Sequence, residues 1–259
     1  MTMITPSAQL TLTKGNKSWS STAVAAALEL VDPPGCRNSA RALSSDELKT
    51  VVSVLAQKLD SLNIDYAIMG GAATCLLSGD PNRRTEDVDL VIHVDHRKIT
   101  ADNLTTQLLK SFPSDFEGVS QFGHTIPAYK LRRPGGTVQL VVELEVFDYQ
   151  SWPQRPQYDL QTATRTTLNI NGQKVKLFSP EWILREKILS QYQRQGSRKE
   201  GTDIRDIISM IPLAVPGKPE LNFNQSQELQ TALANLVQKR PDLSSALKAK
   251  IKCSAVFHN

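Results

Sequence analysis

The chain is poor in cysteine, histidine and aromatic residues, and it has no long apolar run. Its three cysteines, Cys36, Cys75 and Cys253, suggest no disulfide framework and no structural zinc site. That usage fits a reducing compartment, and the expected location is intracellular and cytoplasmic. No run reaches the roughly 18 apolar residues that a membrane helix needs. Nor is there a strong excess of charge. A formal net of +4 over 259 residues is not that of a dedicated nucleic-acid-binding protein, although local basic patches are compatible with it. No internal repeat is visible, which excludes a solenoid or propeller. What is present is 40% hydrophobic residues, enough to build a sizeable core.

Residues 1–41 stand apart. They resemble the β-galactosidase α-fragment leader of cloning vectors, and Asn38–Arg41 resembles a library adaptor in the same frame. The segment is expected to be vector-derived and to have no fold, so the natural start and any targeting peptide would lie outside the visible sequence. It carries four basic and two acidic residues, which leaves the remainder near neutrality at about +2. The expected organisation is a core over 42–212 and a helical C-terminal segment over 213–259.

The most informative stretch is Tyr66–Val94. An apolar run, Tyr66–Met69, ends in Gly70-Gly71, and a helix-forming segment follows over Ala72–Leu77. A polar loop then leads to a second apolar run that starts at Asp87. In that run Asp87 and Asp89 are two residues apart and share a strand face, while Val88, Leu90 and Ile92 take the other. Adjacent like charges are costly unless a cation lies between them. A hard divalent ion such as Mg²⁺, with carboxylate and phosphate oxygens as ligands, meets that need. The glycines let backbone approach a ligand closely, and the helix behind them offers free N–H groups to an anion. Two solvated aspartates on an edge strand are the plain alternative. A phosphatase-type D-x-D-x-V string is disfavoured, because Arg83–Glu86 rather than an apolar strand precedes Asp87.

Gly70-Gly71, fifteen intervening residues, then Asp87-Val88-Asp89 with Arg84-Thr85 just ahead resemble the signature of the DNA polymerase β-like nucleotidyltransferase superfamily. The likeness is to its minimal members, the antibiotic nucleotidyltransferases and the toxin-type transferases of abortive-infection and toxin–antitoxin systems. It covers roughly Ser44–Ile211. It implies an α/β (α+β) fold, a mixed sheet with flanking helices.

The rest of the chain is read within that frame. Ser44–Leu62 has a capping-box start and an apolar stripe, and reads as a helix. Thr100–Phe112 reads as another. Ser114–Ala128, with Gly118, Gly123 and Pro127, reads as irregular. Tyr129–Leu131 and Val138–Asp148 read as strands joined by a turn over Arg132–Gly136. The second strand puts Glu143 and Glu145 on one face of an otherwise apolar sequence. The resemblance implies that one of them, with Glu145 preferred, completes a carboxylate triad. Pairing of both with Lys130, Arg132 or Arg133 across the hairpin is the alternative. His93 and His96 flank Asp95, but histidines in a strand-end turn are more often solvated than metal-bound. The loop over Asp148–Tyr158 is a candidate lid or base-stacking edge. Thr167–Phe178 with Asn171-Gly172 reads as a primed hairpin, and Ser179-Pro180-Glu181 as a helix start.

On that helix Lys187 lies within an apolar stripe, where it must reach an anion or snorkel to water. The resemblance places Lys187 at the nucleotide. Residues 194–207 resemble the family's basic loop and its following Asp-containing helix, with Thr202 as the expected cap and Ile204, Ile207, Ile208 and Ile211 as the expected buried stripe. Asp203 or Asp206 would orient Lys187 or Arg198. Arg194, Arg198 and Lys199 either bind a polyphosphate or nucleic-acid backbone or form a solvated loop. Pro216–Asn222 reads as a linker before two terminal helices, Gln225–Lys239 and Leu243–Lys252.

The resemblance thus implies transfer of a nucleoside monophosphate from a nucleoside triphosphate to a hydroxyl acceptor, with pyrophosphate release. Asp87, Asp89 and Glu145 (or Glu143) would hold Mg²⁺ or Mn²⁺. Gly70, Gly71, Thr85, Lys187 and Arg198 would meet the nucleotide. Small molecule, RNA and protein all stay open as acceptors. A scaffold that binds nucleotide or a protein partner without catalysis is the alternative, and a missing third carboxylate would mark it.

Overall fold

A computed structural model of the chain describes residues 41–121, 123–132 and 139–257. The expectations for residues 1–40, for the turn at residues 133–136 and for Val138 lie outside the described residues.

The order of elements follows from local chemistry. Helix α1 (Ser45–Ser61) starts from a reciprocal capping box. The Ser44 hydroxyl accepts from the Glu47 N–H, and the Glu47 carboxylate accepts from the Ser44 N–H. Its apolar stripe buries Leu48, Val51, Val52, Leu55 and Leu59. Strand β1 (Tyr66–Met69) is buried along its whole length and runs directly into α2 (Gly70–Ser78). Strand β2 (Val88–Ile92) starts one residue after Asp87. Helix α3 (Ala101–Ser111), capped by Thr100, buries Leu104 and Leu108.

Next come β3 (Phe116–Gln121), β4 (His124–Arg132) and β5 (Gln139–Asp148). The region expected to be irregular is therefore a hairpin. Two residues read as strand breakers have specific places in it. Pro127 sits opposite Gly118, one residue outside the β4–β5 pairing that begins at Ala128, so its missing N–H interrupts no ladder on that side. Gly118 is required for packing, since a Cβ there would meet the Thr125 methyl at 2.9 Å.

Strands β6 (Arg165–Ile170) and β7 (Gln173–Phe178) form the expected primed hairpin, with Asn171 at φ 51° and Gly172 at φ 78°. Helix α4 (Pro180–Gln193) is capped by Ser179. Helix α5 (Arg198–Met210) begins five residues earlier than expected, with Ser197 rather than Thr202 at its cap, and Thr202 lies inside it. The expected linker folds into a short 3₁₀ turn, Pro219–Leu221, that buries Leu221. Helix α6 (Gln227–Lys239) follows, and the last helix, α7, covers only Ser244–Lys248.

The seven strands form one mixed sheet in the order β3-β4-β5-β2-β1-β7-β6. The central strand β2 runs antiparallel to β1 and parallel to β5. This register places Asp89 beside Glu145 on the neighbouring strand and beside Met69, the residue before the glycine pair. Residues of alternate parity, Val88, Leu90, Val142 and Leu144, are fully buried and face the core. The C-terminal portion docks on α4: Gln191 is fully buried, and its side-chain amide donates to the Ala232 carbonyl of α6 at 3.1 Å.

Candidate active site

Asp87, Asp89 and Glu145 each direct a carboxylate oxygen into one spot, with the three atoms within 4.8 Å of one another. Among the described residues this is the one group of three or more acidic, histidine or cysteine side chains close enough to share a metal ion. His93 and His96 are not part of it. The parallel β2–β5 register causes the convergence, since it sets Glu145 directly beside Asp89. Glu143, two residues earlier on the same face, lies next to the group rather than in it. The alternative pairing across the β4–β5 hairpin is not formed by Lys130, whose ammonium donates to the Pro113 carbonyl at 2.8 Å and lies 4.0 Å from Glu117.

Neighbouring residues fix the carboxylate of Asp87 and crowd that of Asp89. Thr85 is buried, and its hydroxyl donates to Asp87 Oδ1 at 2.9 Å. The Thr85 carbonyl in turn accepts from the Leu43 N–H at 2.8 Å. Gly70 opens α2 with φ 63°, and a Cβ built on it would lie 2.1 Å from Asp89 Oδ2. A Cβ on Gly71 would lie 2.7 Å from Thr85 Oγ1. The glycine pair thus lets the first turn of α2 press against the carboxylates. No side chain caps that helix start, so its N–H groups are not taken up by a capping residue.

Without a cation the cluster is electrostatically strained. Burial, then the charges of Asp87 and Glu145, push the Asp89 carboxyl well above the usual range, against the pull of Lys187 and Arg194. Burial and Asp87 raise Glu145 as well, opposed by a hydrogen bond from Gln121 and by the charge of Lys199. Three hard oxygen donors that repel one another suit Mg²⁺ or Mn²⁺.

Lys187 is buried, at 8% exposure, and does not snorkel. Its ammonium sits 2.8 Å from Asp203 and 2.8 Å from Asp206, both 1% exposed. Arg194 holds the second oxygen of Asp203 at 3.2 Å. Arg83 grips Asp206 through both oxygens, at 2.6 and 3.0 Å. Burial raises the Asp206 carboxyl, but the Arg83 hydrogen bond and the Lys187 and Arg83 charges outweigh it, so the group stays below its ordinary value.

The buried stripe of α5 is therefore Asp203, Asp206, Ile207 and Met210; of the expected isoleucines Ile207 and Ile211 are buried, Ile204 is partly buried and Ile208 is 38% exposed. Those four positions fall at i, i+3, i+4 and i+7, a spacing visible in the sequence. Charge at two of them hid it. Arg83 carried no sequence signal, because its partner is 123 residues away. Arg198 is the first residue of α5 and is exposed. Trp152 packs edge-on against Phe147, and Tyr158 lies between Phe147 and Trp182, which anchors the candidate lid loop.

Fold and site together define a minimal nucleotidyltransferase of the polymerase β-like class. Residues 53–250 match the family described as "Nucleotidyl transferase AbiEii toxin, Type IV TA system", and the chain belongs to that family. A solved structure, an antigenic nucleotidyltransferase-like protein from Paracoccidioides brasiliensis, is 97% identical over 85% of this chain and 100% of that chain, with a TM-score of 0.82. JHP933 from Helicobacter pylori is 17% identical over 80% of this chain and 81% of that one, at a TM-score of 0.45. The lincosamide adenylyltransferase LnuA is 14% identical over 66% and 99%, at 0.40. Scores this low bear on neither activity nor substrate. None of the curated proteins matches the chain. Among the described residues no helix is long and apolar enough to cross a membrane.

Proposed function

We propose that the protein transfers a nucleoside monophosphate from a nucleoside triphosphate to a hydroxyl acceptor in a reaction that needs Mg²⁺ or Mn²⁺. The observation that carries this reading is the convergence of Asp87, Asp89 and Glu145 within 4.8 Å. A missing third carboxylate would mark the alternative, an inactive scaffold, and the approach of Glu145 to Asp87 and Asp89 supports the catalytic reading instead.

When bound, the divalent ion would neutralise the triphosphate and activate the acceptor oxygen for in-line attack on the α-phosphorus. The protein's own groups position the reactants. Thr85 fixes the carboxylate of Asp87, and Gly70 and Gly71 leave the start of α2 open to phosphate oxygens. Lys187, pinned by Asp203 and Asp206, presents a fixed positive charge beside the carboxylates, with Arg194 behind it. Arg198, exposed at the first turn of α5, can meet the distal phosphates or the acceptor. The acceptor oxygen bonds to the α-phosphorus, the bond to the bridging oxygen breaks, pyrophosphate leaves and the hydroxyl proton is released. Catalysis on this scheme is positioning plus electrostatics.

The test uses each α-labelled nucleoside triphosphate, Mg²⁺ or Mn²⁺, and pooled RNA, protein and small-molecule acceptors, with Asp89→Asn alongside. Metal-dependent pyrophosphate release that disappears in Asp89→Asn is expected, and the labelled species identifies the acceptor. Release unchanged in Asp89→Asn would sink the proposal.

A further inference from the structure

Gln121 has no part in the scheme above, yet its side chain ends at the carboxylate cluster. It is the last residue of β3, pairs with His124 at the hairpin tip, and projects from the sheet face that carries the triad. Its amide nitrogen lies 3.3 Å from Glu143 Oε2 and 3.4 Å from Glu145 Oε1. A side-chain amide has two N–H groups, so it can give one to each glutamate.

From this geometry we infer that Gln121 is a positioning residue for the metal site: it holds Glu145 in line with Asp87 and Asp89, and keeps Glu143 out of the cluster. The inference rests on the nucleotidyltransferase reading. Glu143 and Glu145 share a strand face, and both carry charge next to two aspartates. The β2–β5 register sets Glu145 beside Asp89, with Glu143 two residues earlier on the same face. An amide shared between the two glutamates adds to that placement, because it restrains the Glu145 carboxylate and holds Glu143 to the same donor. Groups that orient metal-binding carboxylates in this way usually contribute about 10–100-fold to metal affinity.

The experiment measures Mn²⁺ binding to the full chain by electron paramagnetic resonance, with no nucleotide present. The proteins are wild type, Gln121→Leu, Gln121→Glu, Ser120→Ala and Asp89→Asn, each checked for cooperative unfolding. Gln121→Leu keeps the side chain's bulk but removes the donor, and a loss of about 10–100-fold in Mn²⁺ affinity is expected. Gln121→Glu removes the donor and adds a carboxylate; an altered Mn²⁺ spectrum is expected, because a different oxygen set then surrounds the ion. Ser120→Ala, at an exposed neighbouring position, should bind as wild type does. In steady-state assays Gln121→Leu should raise the metal requirement more than the KM for nucleotide, a split that a purely structural role would not produce. If wild type binds Mn²⁺, Asp89→Asn does not, and Gln121→Leu binds within about threefold of wild type, the inference fails while the functional reading stands. If wild type itself binds no Mn²⁺ without nucleotide, the inference fails, and the pyrophosphate-release assay decides the functional reading.

Discussion

Replacing Gly70 with alanine separates two costs that the structure keeps apart at a second glycine. At Gly70 the backbone is left-handed, with φ 63°, and the new Cβ would lie 2.1 Å from Asp89 Oδ2. At Gly79, the other end of α2, φ is almost the same at 64°, but nothing lies within 4 Å. A non-glycine residue in this conformation costs about 1–2 kcal/mol, so Gly79→Ala should lose about that much. Gly70→Ala pays the same strain and must also move the carboxylate. An ordinary contact is near 3.4 Å, so Asp89 or the helix start must shift by roughly 1 Å. Overpacking of that kind adds about 1–3 kcal/mol. A displacement of that size at reacting groups commonly costs about 100-fold in rate. Urea denaturation of both variants gives the stability difference, and Mn²⁺ binding with pyrophosphate release gives the functional one. The expected result is that Gly79→Ala keeps full metal binding and transfer, while Gly70→Ala loses both. Equal stability losses with transfer retained in Gly70→Ala would refute the close approach of α2 to Asp89.

Other outcomes follow from the charges. Asp89→Asn should stabilise the metal-free protein at neutral pH while abolishing transfer. The folded-state pKa of Asp89 is raised by burial and by Asp87 and Glu145, so its ionisation opposes folding increasingly as pH rises above the unfolded value. Each unit of elevation is worth about 1.4 kcal/mol, and each kcal/mol about 2–4 °C in melting temperature for a chain of this size; a melting curve against pH in chelator checks it. Asp206 works in the opposite sense. Its pKa is lowered, so its contribution is present above the unfolded carboxyl value and is lost as pH falls through the folded one, and Asp206→Asn should flatten acid unfolding in that window. Lys187→Met leaves two buried aspartates short of a partner and should cost about 3–5 kcal/mol in urea denaturation, part of it recovered by Asp203→Asn in the same chain. Ser44→Ala should cost about 1 kcal/mol through the lost cap and leave metal binding unchanged.

How far the sequence could be read depended on whether the cause lay close in the chain. The capping box at Ser44, the Asn171-Gly172 turn and the Ser179-Pro180 helix start are local devices, and all three form as read. The strand face shared by Asp87 and Asp89 follows from period two alone. Strand alternation put Glu143 and Glu145 on one face, the resemblance implied that one of them, with Glu145 preferred, was the third carboxylate, and the β2–β5 register sets Glu145 beside Asp89. The hairpin over Phe116–Arg132 was hidden by Gly118 and Pro127, which break isolated strands and are tolerated here for reasons set by neighbouring strands. The inward face of α5 was misread because hydrophobicity alone selected Ile204 and Ile208. Asp203 and Asp206 are buried because Arg83, Lys187 and Arg194 lie opposite them, and no window of sequence contains that set.

That last set also bears on why the carboxylates stay available. Arg83, Lys187 and Arg194 carry three positive charges against the two of Asp203 and Asp206, a net excess beside a cluster of three negative ones. Asp203 and Asp206 each hold the Lys187 ammonium at 2.8 Å, which occupies two of its three N–H groups. Lys187 and Arg194 still pull the Asp89 carboxyl downward, but less than burial and the neighbouring carboxylates push it up. The repulsion is thus reduced but not removed, and what is left of it is available to favour a divalent ion. On the proposed reading the same tether keeps the ammonium fixed at the side of the site, so its charge meets the triphosphate without reorganising as the reaction proceeds.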